Sequence, residues 1–285
     1  MSKIEWTEQT WNPIVGCSKV SAGCQNCYAI SQAYRNAAIG QKMENPGRLA
    51  YYEGLTEKRG DRVEWTGVVR FVPEALEIPL KRKKPTTWFV NSMSDLFHES
   101  VTFEQLFKIA SIILATPQHT YQILTKRPER MTKVWVEVLE LLQSSINGTM
   151  EAPPIIKPLS NVWLGVTIEN QEAVSDRAGF LHQIRDQGWK TFYSCEPLLE
   201  EVNLHLDRHP VDWVVIGGES GNKARPCSVE HIRSIVKQCR DANVPVFVKQ
   251  LGSNAYYPMA GKGSDINEFP EDLRVREYPV FKKSQ

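Results

Sequence analysis

Eight apolar runs of strand length recur along the chain: Pro13–Gly16, Val68–Val72, Thr87–Asn91, Thr120–Leu124, Val162–Thr167, Lys190–Ser194, Trp213–Gly217 and Val246–Lys249. Most are β-branched or aromatic with no polar alternation, the pattern of parallel strands covered on both faces. Between them, apolar residues return at helical spacing. Phe103, Leu106, Phe107, Ala110, Ile113 and Leu114 form one stripe, and Met131, Val134, Val138, Leu141 and Leu142 a second. Val174, Ala178, Leu181 and Ile184 make a third, and Val229, Ile232, Ile235, Val236 and Cys239 a fourth, with Ser228 placed as its N-cap. A further helix is expected over roughly Cys24–Ile39. Strands alternating with helices predict an α/β fold, specifically a (β/α)8 TIM-type barrel, complete or imperfect. An open doubly wound sheet is the alternative, but neither G-x-G-x-x-G nor G-x-x-x-x-G-K-[ST] occurs.

The chain has 285 residues, and a barrel of about 250 residues would use nearly all of them as one domain. Residues 1–285 are therefore read as a single barrel domain with two irregular parts. Gln41–Thr66 is a loop insertion, and Ser253–Gln285 is an irregular tail rich in proline and glycine; both are expected to cover one end of the barrel. Lys and Arg total 34 against 33 Asp and Glu, a net charge of +1. Any attraction to nucleic acid must therefore come from a local patch. The one basic run is Lys81-Arg82-Lys83-Lys84, with Tyr51, Tyr52 and Trp65 in the insertion as candidate base-stacking aromatics. The N-terminal segment shows no apolar leader and no stretch approaches 18 apolar residues, so the expectation is a cytoplasmic protein with no membrane segment.

Six cysteines are present, and Cys17, Cys24 and Cys27 fall within eleven residues in the pattern C-x6-C-x2-C. They follow the first expected strand and open the first expected helix, where free N–H groups favour a thiolate. A tight cluster in a cytosolic chain reads first as metal or cluster ligation. Three ligands leave a zinc site one short, whereas a three-thiolate [4Fe–4S] cluster keeps one iron open to a ligand. A zinc site completed by a distant residue, or plain buried thiols, are the other readings.

The run Thr10-Trp11-Asn12-Pro13-Ile14-Val15-Gly16-Cys17-Ser18-Lys19-Val20-Ser21, with Gly23-Cys24 and Cys27-Tyr28, closely resembles the phage-associated three-Cys-motif proteins, a radical-SAM-like family. So do Asn91-Ser92-Met93-Ser94-Asp95-Leu96-Phe97-His98, Leu124-Thr125-Lys126-Arg127-Pro128, Glu196-Pro197-Leu198-Leu199 and Gly217-Gly218-Glu219-Ser220-Gly221. The resemblance implies that Cys17, Cys24 and Cys27 hold a [4Fe–4S] cluster that binds S-adenosylmethionine (SAM). One-electron reduction then yields methionine and a 5′-deoxyadenosyl radical, which abstracts hydrogen from a substrate. It also implies an external electron donor, and a three-Cys-motif partner protein is a candidate partner. Three features depart from the commonest radical-SAM pattern, one being that the aromatic Tyr28 follows the last cysteine where one usually precedes it. The first cysteine spacing is x6 rather than x3, and Gly217-Gly218-Glu219 follows the seventh expected strand where a methionine-binding Gly-Gly-Glu usually follows the second.

In a barrel, functional residues stand at the C-terminal strand ends. Those ends and the matching runs give Tyr28, Ser92, Thr125, Glu169, Glu196, Gly217, Gly218, Glu219 and Ser220 as candidate cofactor-binding residues. Gly217-Gly218 admits close backbone approach and its N–H groups could bind an anion; a tight turn is the plain alternative. Cys195 and Cys227 are candidate catalytic thiols that return a hydrogen atom to a substrate radical, as the radical-SAM lyase that repairs DNA photodimers does. Core packing is the simpler role for both, and Cys239 is expected in the core. The leading expectation is a radical-SAM enzyme acting on a macromolecule, with nucleic acid the favoured class, in repair or modification. The competing expectation is a zinc-stabilised nucleic-acid-binding protein without redox chemistry. A metal-free barrel hydrolase ranks last, for want of an elbow motif.

Overall fold

Pro13 breaks the first extended segment in two. The computed structural model describes residues 4–147, 157–259, 261 and 263–279. Before the proline lies β1 (Gln9–Trp11); after it, β2 (Ile14–Val15) turns away. There follow α1 (Tyr28–Gly40), the hairpin β3 (Thr56–Arg59) and β4 (Arg62–Trp65), β5 (Arg70–Phe71), α2 (Glu77–Lys81), β6 (Thr87–Val90), α3 (Phe103–Ala115) and β7 (Thr120–Thr125). The chain continues through α4 (Pro128–Arg130), α5 (Val136–Asn147), β8 (Val162–Thr167), α6 (Gln171–Asp186), β9 (Lys190–Cys195), β10 (Trp213–Gly217), α7 (Val229–Asp241) and β11 (Val246–Gln250).

The protein is mixed α/β, built on a seven-stranded sheet ordered β1-β6-β7-β8-β9-β10-β11. Registers such as Thr10 with Phe89, Phe89 with Gln122 and Val215 with Ser194 are parallel. Six of the eight expected strands belong to this sheet; two do not. Pro13–Gly16 and Val68–Val72 supply β2 and β5, which form a separate antiparallel pair. The first parallel position goes to Gln9–Trp11. A three-residue strand with two polar members gives no continuous apolar run, while Pro13 removes a donor and fixes its own φ. Among the described residues no helix is long and apolar enough to cross a membrane.

The chain divides into two compact units, Met1–Leu164 with Gln187–Trp189, and Gly165–Asp186 with Lys190–Gln285. In the first, the stretch expected as a bare loop insertion holds a 3-10 turn over Gly47–Tyr52 and the β3–β4 hairpin. The hairpin strands are mostly charged, and β3 is largely exposed, so they carry no apolar run. Leu55, Tyr52 and Trp65 from this stretch pack with Val15, Ala29, Ile30, Ala33, Val72 and Met93, and Cys17 and Cys27 lie against that core. Burial thus removes Tyr52 and Trp65 from the expected base-stacking role, and the Tyr51 hydroxyl is held by Glu74 at 2.9–3.0 Å. α3 carries a full capping box: Thr102 accepts from Gln105 N at 3.3 Å and Gln105 returns the bond at 3.0 Å. Its buried face includes Ile109, whereas Phe103 is exposed. The turn Met131–Trp135 is a π-helix. The buried stripe here is Met131, Trp135, Val138, Leu139 and Leu142, while Leu141 faces out.

In the second unit the expected stripes of α6 and α7 are buried throughout, Cys239 included, and the Ser228 hydroxyl caps α7 through Glu230 N at 3.2 Å. Gly165 lets the Phe192 ring lie on β8; a Cβ there would sit 2.4 Å from the ring. The tail does not simply loop over a sheet end. It runs beside β11, with Val248 N donating to Val275 O at 2.8 Å and Glu277 N to Val246 O at 3.0 Å. The exposed ladder of that strand is thereby shielded. Of the tail, residues 260, 262 and 280–285 lie outside the described residues.

Candidate functional site

The cysteine segment is fixed at its entrance by Gly16. Its φ is +90°, and a Cβ there would stand 2.2 Å from the Val68 carbonyl oxygen, so the chain passes this point only as glycine. Gly16 N also donates to Met93 O at 3.1 Å. The Gly16→Ala variant combines a left-handed residue with a backbone clash and is expected to lose about 3 kcal/mol of stability. Chemical denaturation measures that loss; an unchanged midpoint would show that the segment relaxes freely.

Cys17 follows in the loop, Cys24 ends the short 3-10 turn Ala22–Cys24, and Cys27 is the N-cap of α1. All three are free, half-buried thiols. They are close enough that Cys24 and Cys27 each act on the ionisation of Cys17. Burial pushes the Cys17 thiol up to about 12, reinforced by Asp95 and opposed by Arg127. Burial likewise raises Cys27, against the pull of Lys126 and the Ala29 and Ile30 amides. At Cys24 burial also pushes upward, but Lys126 and hydrogen bonds from Val20 and Ser21 prevail and hold it below the usual thiol value. The helix start alone therefore does not make these groups thiolates; desolvation outweighs it at two of the three.

The counter-charge comes from the turn after β7. Arg127 is buried and uses all five of its N–H donors inside the protein. Nε donates to Glu99 Oε1 at 2.8 Å, and Nη2 to Ser18 Oγ at 2.8 Å and Ser18 O at 3.4 Å. Nη1 is shared between Asp95 Oδ2 at 3.2 Å and Cys17 Sγ at 4.0 Å. Asp95 is itself saturated: it accepts from Phe97 N, from Thr125 Oγ1 at 2.7 Å, from Lys126 N at 3.1 Å and from Arg127. Thr125 Oγ1 also accepts from Arg127 N at 2.8 Å. The Thr125 hydroxyl thus shapes the turn that delivers Lys126 and Arg127. His98 Nδ1 accepts from Ser100 N, which puts the proton of the neutral ring on Nε2, facing Ser18 Oγ at 2.8 Å. Burial, then Arg127, holds His98 below its ordinary value.

The other expected residues divide by what already holds them. Tyr28 is exposed and its hydroxyl donates to Ser92 O at 2.9 Å, while Ser92 Oγ donates to Asn12 Oδ1 at 3.1 Å. In the second unit Glu169 is fully buried against Arg177, with Nη1 at 2.6 Å and Nη2 at 3.4 Å. Glu219 is gripped by Arg225 through Nη2 at 2.7 Å, Nε at 3.1 Å and the backbone N at 2.8 Å. Gly218 gives both backbone groups to Gln250: its N donates to Gln250 O at 3.1 Å, and its O accepts from Gln250 Nε2 at 2.7 Å. A Cβ on Gly218 would lie 2.2 Å from Leu251 O, and one on Gly217 would lie 2.5 Å from Glu196 Oε1. Side chains larger than glycine are thus excluded at both positions by their neighbours. Glu196 Oε1 stands 2.9 Å from Lys249 Nζ, an ion-pair contact off the hydrogen-bonding axis that leaves this buried oxygen without a hydrogen bond. Ser220 is exposed in the irregular segment that follows.

Cys195 ends β9 with no exposure, and Cys227 precedes α7 almost fully buried. Burial raises Cys227 to about 12 and Cys195 well above the usual thiol value, so both keep their protons.

A family model described as protein of unknown function (DUF5131) matches residues 1–272. The chain belongs to that family. No curated protein matches it. Among solved structures, a spore photoproduct lyase mutant with bound AdoMet and dinucleoside spore photoproduct is 10% identical, with a TM-score of 0.41 over 89% of this chain and 66% of that chain. A second spore photoproduct lyase mutant gives 11% and 0.38 over 92% and 68%. Spore photoproduct lyase complexed with dinucleoside spore photoproduct gives 11% and 0.37 over 88% and 65%. The DUF5131 chain spans about two thirds of the length of these proteins.

Against this geometry the cysteine donor set fits an iron–sulfur cluster. Its thiols are free, mutually within electrostatic reach, and faced by two cations that offset thiolate charge. Cluster thiolates are spread over separate irons rather than gathered on one ion. Among the described residues no group of three or more His, Cys, Asp and Glu is arranged to hold a single metal ion. The partnership of Arg127 with Cys17 is not visible in the sequence, where Arg127 stands only as one of several cations at strand ends and in the run Leu124–Pro128.

Proposed function

We propose that this chain is a radical-SAM-type enzyme whose Cys17, Cys24 and Cys27 hold a [4Fe–4S] cluster. With SAM bound, such a cluster supplies one-electron reductive cleavage to methionine and a 5′-deoxyadenosyl radical that abstracts hydrogen from substrate. The observation that carries the reading is the meeting of three free thiols with the Lys126-Arg127 turn in the first unit. Partial burial limits the access of water to the thiols, and the two cations offset the charge that ligation requires. In the second unit Glu169 and Glu219 are committed to arginines. Glu196 is likewise paired, with Lys249 at 2.9 Å, so these three carboxylates of the second unit are each held by a cation of that unit. Under reducing, anaerobic conditions the loaded protein converts SAM to 5′-deoxyadenosine; a loaded protein that leaves SAM intact overturns the reading.

As substrate we propose a nucleic acid, in repair or modification. Support comes from the exposed basic run Lys81–Lys84 alone, since the insertion aromatics are held within the protein. A K83E/K84E variant should bind a single-stranded oligonucleotide more weakly, with the salt dependence reduced by roughly two counterions. Equal affinity and slope in variant and wild type would exclude this surface.

A further inference from the structure

Arg127 stands out from the other charged groups of the first unit. Every N–H it owns is engaged by the protein, so no donor is left to grip a ligand: Glu99, Ser18 and Asp95 take four, and the fifth points at Cys17 Sγ from 4.0 Å. The nitrogen that faces the sulfur is the same one that faces the Asp95 carboxylate at 3.2 Å. Two groups that are both anions when Cys17 ligates iron therefore share one guanidinium nitrogen. Asp95 is buried and its four acceptor positions are filled, so it cannot swing away. Without Arg127, a buried carboxylate would confront a ligating thiolate with nothing between their charges.

We propose that Arg127 is a positioning residue for the cysteine-held cluster, acting through Cys17: it makes a thiolate tolerable beside Asp95 and raises the reduction potential of the group that thiolate holds. The proposal rests on the cluster reading above. Its redox content is one-electron uptake from a low-potential external donor, dithionite in the experiment, with no bond formed or broken. Reduction adds negative charge, so a fixed cation beside a ligating sulfur favours the reduced state, and hydrogen bonds to cluster sulfurs act in the same direction. Because the guanidinium is anchored at five points, it supplies this field without rearranging when the electron arrives.

The test is a redox titration of the anaerobically reconstituted protein, followed by electron paramagnetic resonance, with iron content and thermal melting alongside. Arg127→Gln should lower the midpoint by at least 59 mV, the one-electron equivalent of a tenfold change in the reduction equilibrium. Arg127→Lys, which keeps a charge but not the fork, should recover part of the shift. Should Arg127→Gln lose its cluster or its fold, Asp95→Asn and the Asp95→Asn/Arg127→Gln double variant give the same comparison without an unpaired buried carboxylate. The double variant is expected to lie at least tenfold below the single Asp95→Asn in that equilibrium. A merely structural arginine would change the melting temperature and leave both comparisons flat. A loaded wild type whose midpoint is unmoved by either substitution overturns the proposal alone; a wild type that binds neither iron nor sulfide overturns the cluster reading and the proposal with it.

Discussion

Alanine at any one of Cys17, Cys24 or Cys27 is expected to reduce the iron and sulfide content of the reconstituted protein to background and to abolish the visible absorption of an iron–sulfur cluster. Three protein thiolates are the minimum that leaves one iron open, and no His or fourth Cys lies close in sequence to replace a lost one. The substitutions are mild for the fold. Each thiol is half-buried, Cys17 and Cys27 at the rim of the core made by α1, the hairpin and β2, and none makes a hydrogen bond shorter than 3.4 Å through its sulfur among those described. Melting temperature should therefore stay near that of the apo wild type while metal content collapses. Full iron content in any one variant would remove that cysteine from the ligand set. A matched loss of fold would mean that the thiols hold the segment rather than a cofactor.

The second large effect is expected far from the cysteines in sequence. Arg177→Met leaves the Glu169 carboxylate, which has no solvent exposure, without the guanidinium that now lies 2.6 Å away. Breaking a buried ion pair by deleting one partner costs about 3–5 kcal/mol, because the remaining charge is stranded in low dielectric. Arg177 also donates to Thr167 O at 2.7 Å, so the end of β8 loses a bond as well. Combining the change with Glu169→Gln should recover much of the loss, since an amide carries no charge to strand. Denaturant titration of the single and double variants measures both. A single variant as stable as wild type would free Glu169 from its structural role and return it to the candidates for ligand binding.

Much of the fold is legible in the chain because parallel strands buried on both faces must be continuously apolar. Val162–Thr167 and Trp213–Gly217 declare themselves for that reason. The elements that escape notice lack the requirement. Gln9–Trp11 is an edge strand with two polar residues, and β3 and β4 pair charged strands whose one strongly buried member is Trp65. In the helix after β7 the apolar residues offer two stripes of helical spacing, and packing buries the one through Trp135 and Leu139 rather than the one through Val134 and Leu141. At the site, the three cysteines are visible because they are close in sequence. The pairing of Arg127 with Cys17 spans 110 residues and exists only once β7 stands beside the β6 loop. The ties of Glu169 to Arg177 and Glu219 to Arg225 are local, eight and six residues apart. Composition could not show them, since a carboxylate near a strand end reads the same whether it meets a ligand or an arginine.

The central claim is that three cysteines hold a cluster with an open iron. Metal and acid-labile sulfide analysis of the anaerobically prepared protein tests it most directly. The expected result is about four irons and four sulfides per chain, lost on substitution of any of Cys17, Cys24 or Cys27. One zinc per chain without sulfide, with unfolding on chelation, would contradict it and identify a structural metal site instead.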